Sequence, residues 1–262
     1  MTLPRLIYVP ALVAVALLVL PILGLLSRVR WERLAADLLS PAALNALGLS
    51  LATAAAATLV CLVIGAPLAL VIARASRRTA AVLRTLVLVP LVLPPMVGGL
   101  ALLSLLGRSG LVGKPLFEST GFSIPYTTAA VVIAQTFVAL PFLVIALEGA
   151  VRTSGVSHEQ VAATLGAGRW RVLTRITLPL VLPGLVAGTV LCFARALGEF
   201  GATALFAGNA EGTTRTMPLA IYTAFNGVGV SQDSAVALSL LLLVCAAVIV
   251  SALRSWREDA VR

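Results

Sequence analysis

Six stretches of the chain carry no Asp, Glu, Lys or Arg: Leu6–Ser27, Pro41–Ala73, Thr85–Gly107, Ser119–Leu147, Ile176–Ala194 and Ser234–Leu253. A helix needs about 20 apolar residues to cross the roughly 30 Å hydrocarbon core of a bilayer, and each stretch is long enough. In lipid, backbone amides must pair within the element, which leaves helices or closed barrels. The runs are continuously apolar instead of alternating with period two, which selects helices. The pattern predicts an all-α integral membrane protein with about six transmembrane helices. Leu6–Ser27 follows one basic residue, Arg5, like a signal peptide. It is long for a signal core and lacks a small-residue cleavage site after it, so it reads as a retained helix.

Several spans are interrupted by proline: Pro90, Pro94 and Pro95 in the third, Pro179 and Pro183 near the start of the fifth. Proline removes a helical hydrogen bond and clashes with the preceding turn. Such kinks either shape the wall of a path or reflect the general abundance of proline in membrane helices. Gly184 and Gly188 form G-x-x-x-G on one helix face, permitting close approach of another helix in this chain or a second one. Arg108–Glu118 reads as an external turn region and Ala207–Asp233 as a longer external loop.

Composition agrees with the pattern. Hydrophobic residues make up 60% of the 262 and charged residues 11%, against about 25% charged in soluble domains. Mean hydropathy is +1.07. A water-soluble globule is excluded. The net charge of +9 would suggest nucleic acid in a soluble protein, but the basic residues cluster between spans. Arg74, Arg77, Arg78 and Arg84 lie between the second and third spans, Arg152, Arg169, Arg171 and Arg175 between the fourth and fifth, and Arg254 and Arg257 after the sixth. The positive-inside rule makes these regions cytoplasmic, with both termini inside. Arg28, Arg30 and Arg33 resist the rule, offset outside only by Glu32 and Asp37.

Catalytic chemistry finds little to work with. Cys61, Cys192 and Cys245 are widely separated in apolar spans and read as small buried hydrophobes. His158 is the only histidine, so neither a histidine metal cluster nor a Ser/His/Asp site can be built. No G-x-x-x-x-G-K-[ST] phosphate loop occurs; Gly113-Lys114 is followed by Pro115. The chain is expected to be no enzyme and to hold no cofactor. Gln135 and Asn45, polar within spans, read as helix-packing residues.

The informative segment is Ser157–Pro179, S-H-E-Q-V-A-A-T-L-G-A-G-R-W-R-V-L-T-R-I-T-L-P. Val161, Ala162 and Leu165 recur at helical spacing, Glu159 precedes Arg169 and Arg171 in the order that suits a helix dipole, and small residues crowd the middle. A short helix of this kind lies on a membrane surface or docks in a groove of a soluble partner, and the small residues favour docking.

Gly166, nine residues, then Ile176-x-Leu178-Pro179 resembles the E-A-A---G---------I-L-P motif of importer-type ABC permeases. In that family the segment is a coupling helix that docks on the ATP-binding subunit. The resemblance implies that Glu159, Gln160, Ala162, Ala163, Leu165, Gly166 and Ala167 form it. The front departs from the family: Gln160-Val161-Ala162 occupies the E-A-A positions, with Glu159 one place early. Leu88–Gly99, Phe193–Thr203 and Thr214–Pro218 with Tyr222 are similar to molybdate permease subunits, and the likeness runs from Asn45 to Leu253. It implies a type I ABC permease core with an extra N-terminal helix: residues 1–40 as that helix and an external loop, 41–254 as the permease domain, 255–262 as a cytoplasmic tail. It implies a homodimer in the cell (inner) membrane, two ATP-binding cassette subunits inside, an external oxyanion-binding protein, and alternating access for molybdate- or tungstate-type oxyanions. Sulfate or thiosulfate import by the same machinery, and an ATP-independent channel or secondary transporter, are the alternatives. Arg195 and Glu199 share a helix face in or near the fifth span. They are an ion pair or part of an aqueous path. Arg215 contacts substrate or the delivering protein, or is a solvated external charge.

Overall fold

The computed structural model describes residues 5–155, 157–227 and 232–259. Its elements are helices: α1 Tyr8–Leu26, α2 Trp31–Leu38, α3 Pro41–Arg74, α4 Arg77–Val92, α5 Pro95–Leu106, α6 Gly113–Thr120, α7 Thr128–Ser154, α8 Ser157–Thr164, α9 Arg169–Val172, α10 Leu178–Leu197, α11 Gly201–Phe206, α12 Met217–Phe225 and α13 Gln232–Asp259. A wide π-helical turn, Leu173–Thr177, joins α9 to α10.

Local chemistry sets the long helices. Ser40 accepts a hydrogen bond from Ala43 N and Pro41 opens the first turn of α3, both favourable at a helix start. Ser76 caps α4 through Thr79 N, so the chain reverses within Ala75–Ser76. Thr127 caps α7, and Gly155, at φ +69°, ends it.

Among the described residues, four helices are long and apolar enough to cross a membrane: α1, α3, α7 and the run Arg169–Leu197. The third charge-free stretch is no straight span. It breaks between α4 and α5, which meet at a bend of 111°, because Pro94 and Pro95 cannot continue α4. Counted as one span, the pair raises the total to five. The sixth stretch is helical within α13, but its apolar part among the described side chains, Asp233–Val248, falls short of a full span. The count is therefore four or five where about six were expected. The side chains of Arg254 and Arg257 lie outside the described ones.

The expected loop Ala207–Asp233 also needs correction. It contains α12, whose Met217, Leu219, Ala220, Thr223 and Ala224 are buried and whose first amide, Met217 N, donates to Ser50 Oγ of α3 at 2.7 Å. Likewise α6 occupies part of Arg108–Glu118, with Arg108 over the Phe117 ring.

The bundle centres on α7, which packs against α3 and α10. The contact surfaces are small: Ala54, Ala57 and Cys61 on α3, Ala139 on α7, Cys192 and Ala196 on α10. Gly184 and Gly188 of α10 face α7 within this chain. A Cβ on Gly184 would lie 2.2 Å from Ala150 Cβ, and one on Gly188 would lie 3.0 Å from Ala146 Cβ. By contrast, no residue of α1 is buried. The arginine-rich turns, at Arg74–Arg78 and from Arg152 to Arg175, share one end of the bundle through an Arg74–Glu159 pair. At the other end Arg30 pairs with Asp233 at 2.8 Å, so a third acidic residue offsets the arginines that resisted the charge rule.

Gly184→Ala places a methyl inside the van der Waals radius of Ala150 and should destabilise by the ~1–3 kcal/mol typical of overpacking. Thermal unfolding of purified protein should show a lowered Tm, restored by adding Ala150→Gly. Gly24→Ala on α1, where a Cβ meets nothing within 4 Å, should leave Tm unchanged; a Gly184→Ala protein as stable as wild type would contradict the α7–α10 contact.

Candidate functional site: a hairpin at the basic end and a paired break

At the basic end, α8, the turn after it and α9 form a hairpin between α7 and α10. The turn is built by Gly166: Ala167 N bonds Ala162 O at 3.0 Å and Gly166 N bonds Ala163 O at 3.0 Å, with Gly166 at φ +81°. This is the paired-bond helix end whose left-handed residue is best supplied by glycine. The motif glycine therefore has a backbone reason.

Glu159 faces inward. Its Oε1 pairs with Arg74 Nη2 from the last turn of α3 and accepts a hydrogen bond from Thr177 Oγ1 in the π-helical turn at 2.7 Å. One carboxylate thus ties the hairpin to the ends of two long helices. Ala162 is buried beside it, while Gln160, Ala163, Leu165 and Gly166 are exposed and Ala167 is half-buried. Val161, Leu165 and Trp170 are exposed apolar side chains on this hairpin. An open cavity of about 660 Å³ separates the hairpin from α3, lined by Arg74, Glu159, Gln160, Ala163, Ala167 and Arg169 among others. Sequence reasoning missed Arg74 and Thr177 as partners of Glu159 and Trp170 as an exposed anchor. Arg74 lies 85 residues away, and no local periodicity announces it.

Toward the other end, the segments resembling molybdate permeases meet. Gly99 of α5 lies against α11, where a Cβ would stand 2.8 Å from Ala202 O, and a Cβ on Gly201 would stand 2.8 Å from Pro95 Cβ. Arg195 Nη2 pairs with Glu199 Oε2 at 2.8 Å, Glu199 being 1% exposed and Arg195 26%. The second oxygen, Glu199 Oε1, accepts from Ala202 N at 2.8 Å, so Glu199 also holds the first turn of α11. Arg195 lines a cavity of about 100 Å³ at the α4–α5 break, with Pro90, Leu93, Pro94, Pro95 and Phe137.

Arg215 is held inside its own loop: Nε donates to Asn209 Oδ1 at 3.0 Å and Nη1 to Glu211 Oε2 at 3.1 Å. Thr214 Oγ1 accepts from Ala210 N, and Asn209 Nδ2 donates to Thr223 Oγ1 of α12. Tyr222 packs against Phe200, ring centroids 5.2 Å apart. Gln135 is fully buried in α7. Asn45 is exposed on α3.

These features define a multi-pass membrane permease of the ABC importer class. The chain belongs to the family of binding-protein-dependent transport system inner membrane components, whose model matches residues 65–262. Its relatives include the molybdenum transport system permease proteins of Mycobacterium bovis and Mycobacterium tuberculosis, each 54% identical over 248 residues, covering 95% of this chain and 92% of theirs. The protein of the same description from Escherichia coli K12 is 40% identical over 208 residues, covering 79% and 90%. In fold, the chain is similar to a chain of a bacterial ABC transporter involved in import of the acidic polysaccharide alginate, with TM-score 0.77 at 19% identity, covering 98% of this chain and 95% of that one.

Removing Arg195 leaves Glu199 buried and unpaired, which costs roughly 3–5 kcal/mol. Arg195→Gln should lower Tm in detergent. The charge swap Arg195→Glu with Glu199→Arg should restore little, because an arginine at 199 cannot accept from Ala202 N. Full rescue by the swap would show that the α11 tie is dispensable.

Proposed function

We propose that this chain is the membrane subunit of a molybdate importer, working as a homodimer with two ATP-binding subunits at the basic, cytoplasmic end and an oxyanion-binding protein outside. The observation that carries the cargo is the 54% identity to molybdenum permeases over nearly the full length of both chains. In this reading residues 1–40 are an addition to a core of 41–254, and 255–262 are a cytoplasmic tail.

The geometry supplies a mechanism. An ATP-binding subunit grips the exposed Val161, Leu165 and Trp170 and the small residues around Gly166. When nucleotide draws the ATPase pair together, the hairpin moves. Glu159 passes that displacement to α3 through Arg74 and to α10 through Thr177, and α7, wedged between them, moves with both. Nucleotide acts by stabilising one of two conformations more than the other. The α4–α5 break and α11 form the opposite wall, where Arg195 offers its partly exposed guanidinium to a small tetrahedral dianion while Glu199 keeps it oriented. ATP is hydrolysed on the partner subunit.

The test is ATP-dependent uptake in proteoliposomes holding this chain, its ATPase and its binding protein. Molybdate uptake that resists excess sulfate is expected. Sulfate uptake instead would keep the machinery and overturn the cargo, and uptake without ATP would overturn the importer reading. Glu159→Gln in the same assay keeps an acceptor for Thr177 but loses the charge that holds Arg74. The ATPase should still co-purify, while molybdate carried per ATP hydrolysed falls roughly fivefold or more, the low end of the 1–3 kcal/mol typical of coupling between sites. An unchanged ratio would remove Glu159 from the transmission route.

A further inference from the structure

A third charge cluster lies near the basic end, apart from the hairpin and the Arg195 cavity. Glu148, on α7 with its side chain 8% exposed, meets two arginines. Its Oε1 accepts from Arg84 Nε of α4 at 2.7 Å and from Arg152 Nε, one turn further along α7, at 2.8 Å. One buried carboxylate needs one cation for neutrality. The second leaves a net positive charge in a setting where charge is costly unless paired.

Both arginines line a cavity of about 330 Å³ between α3, α4 and α7, whose other walls include Ile72, Val87, Leu88, Val144 and Ile145. Their side chains are 38% and 49% exposed, and Leu88 and Ile145 extend the cleft as exposed aliphatic surface. Arg84 stands seven residues, about 10 Å, along α4 from Arg77, and Arg152 sits in the last turn of α7. With the basic end at the cytoplasmic surface, this height corresponds to the headgroup layer and the uppermost part of the hydrocarbon. A lone tetrahedral anion would satisfy the guanidiniums but leave the branched aliphatic walls uncovered. A phosphate diester carrying acyl chains satisfies both. Basic pockets between transmembrane helices on the cytoplasmic side bind anionic lipid headgroups for this reason.

We infer that the Arg84–Glu148–Arg152 cleft binds the headgroup phosphate of an anionic phospholipid of the inner leaflet, with the start of its acyl chains along Leu88 and Ile145. Glu148 positions both guanidiniums, and the lipid fills the gap between α4 and α7. The buried residues of α4 are only Ala80 and Val87, so a bound lipid adds to a sparse contact beside the broken span. The inference depends on the basic end facing the cytoplasm and is independent of the cargo.

Arg152→Gln removes the excess charge and keeps the Arg84–Glu148 pair, so the fold retains its neutral core. Arg77→Gln removes one exposed charge from the same end and controls for net charge. Native mass spectrometry of each protein after incubation with phosphatidylglycerol or phosphatidylcholine gives retained lipid, and thermal unfolding gives the shift in Tm. Wild type and Arg77→Gln should retain phosphatidylglycerol and rise in Tm with it but not with phosphatidylcholine. Arg152→Gln should bind phosphatidylglycerol at least tenfold more weakly. Equal binding by Arg152→Gln and wild type, or equal response of wild type to the two lipids, would overturn the site. A Tm rise with inorganic phosphate or molybdate as large as with phosphatidylglycerol would assign the arginines to a free oxyanion and overturn the lipid. The wild-type comparison needs no variant, so it stands even if Arg152→Gln fails to fold.

Discussion

Every backbone N–H and C=O that lies in lipid must find its partner inside the protein. That constraint decides where this chain can depart from regular helix. Its main interruption within an apolar stretch, at Leu93–Pro95, leaves Pro94 and Pro95 exposed in this chain, while α11 lies against the start of α5 so closely that Gly99 and Gly201 have no room for a Cβ. The prolines that break the span and the glycines that admit α11 meet in one contact, Gly201 lying against Pro95. Thr203, fully buried on α11, and Glu199, holding the first turn of α11, keep polar groups on the protein side of that contact. On the side toward α7 and Arg195, the break of 111° forms one wall of a small cavity.

Charge obeys the same constraint. The acidic groups buried among the long helices are Glu148 and Glu199, and each is met by arginine, on α7 itself and α4 in one case and on α10 in the other. Exposed ion pairs contribute little, but these carboxylates are almost wholly removed from solvent, and loss of a partner there leaves an uncompensated charge. The two clusters sit at opposite ends of the apolar bundle. The interior between them is built from Ala, Gly, Cys and Thr at the α3–α7–α10 contacts, with Leu143 among the larger side chains. Such surfaces bring backbones close and leave little slack, as the proposed transmission of a hairpin displacement along the helices requires.

Much of this was legible in the sequence because hydropathy and charge are local signals. The long helices α1, α3, α7 and α10 fall where the charge-free runs fall, and Gly184 and Gly188 announce a close helix contact. What sequence left open was the partner, which proved to be α7 through Ala146 and Ala150. Other features were hidden because their cause is not local. The prolines of the third stretch announce a kink but not its direction, which α11 fixes from about 100 residues away in sequence. The apolar run Met217–Phe225 is too short to register as a span, so the hydropathy pattern alone reads it as part of a loop. Asn45 is polar in an apolar run, and helix rotation turns it to the exposed face of α3. Glu148 falls just beyond the end of a charge-free stretch, so the pattern that located the helix said nothing about its two arginines.

The departure at the front of the coupling motif follows from the same geometry. Successive residues on a helix point about 100° apart, so moving the glutamate back by one place redirects it. At position 159 it points toward the end of α3 and meets Arg74. Gln160, in the place where the family has glutamate, remains exposed at the cavity rim. An uncharged side chain there removes the need for a cation opposite it, and a charged one inward adds a fixed link between hairpin and helix. In the proposed mechanism, docking and transmission are thereby divided between neighbouring residues. The exposed Val161, Leu165 and Trp170 are free for the non-directional apolar contact proposed with a partner, while the directional charged contact of Glu159 is spent within the chain, on Arg74 and Thr177.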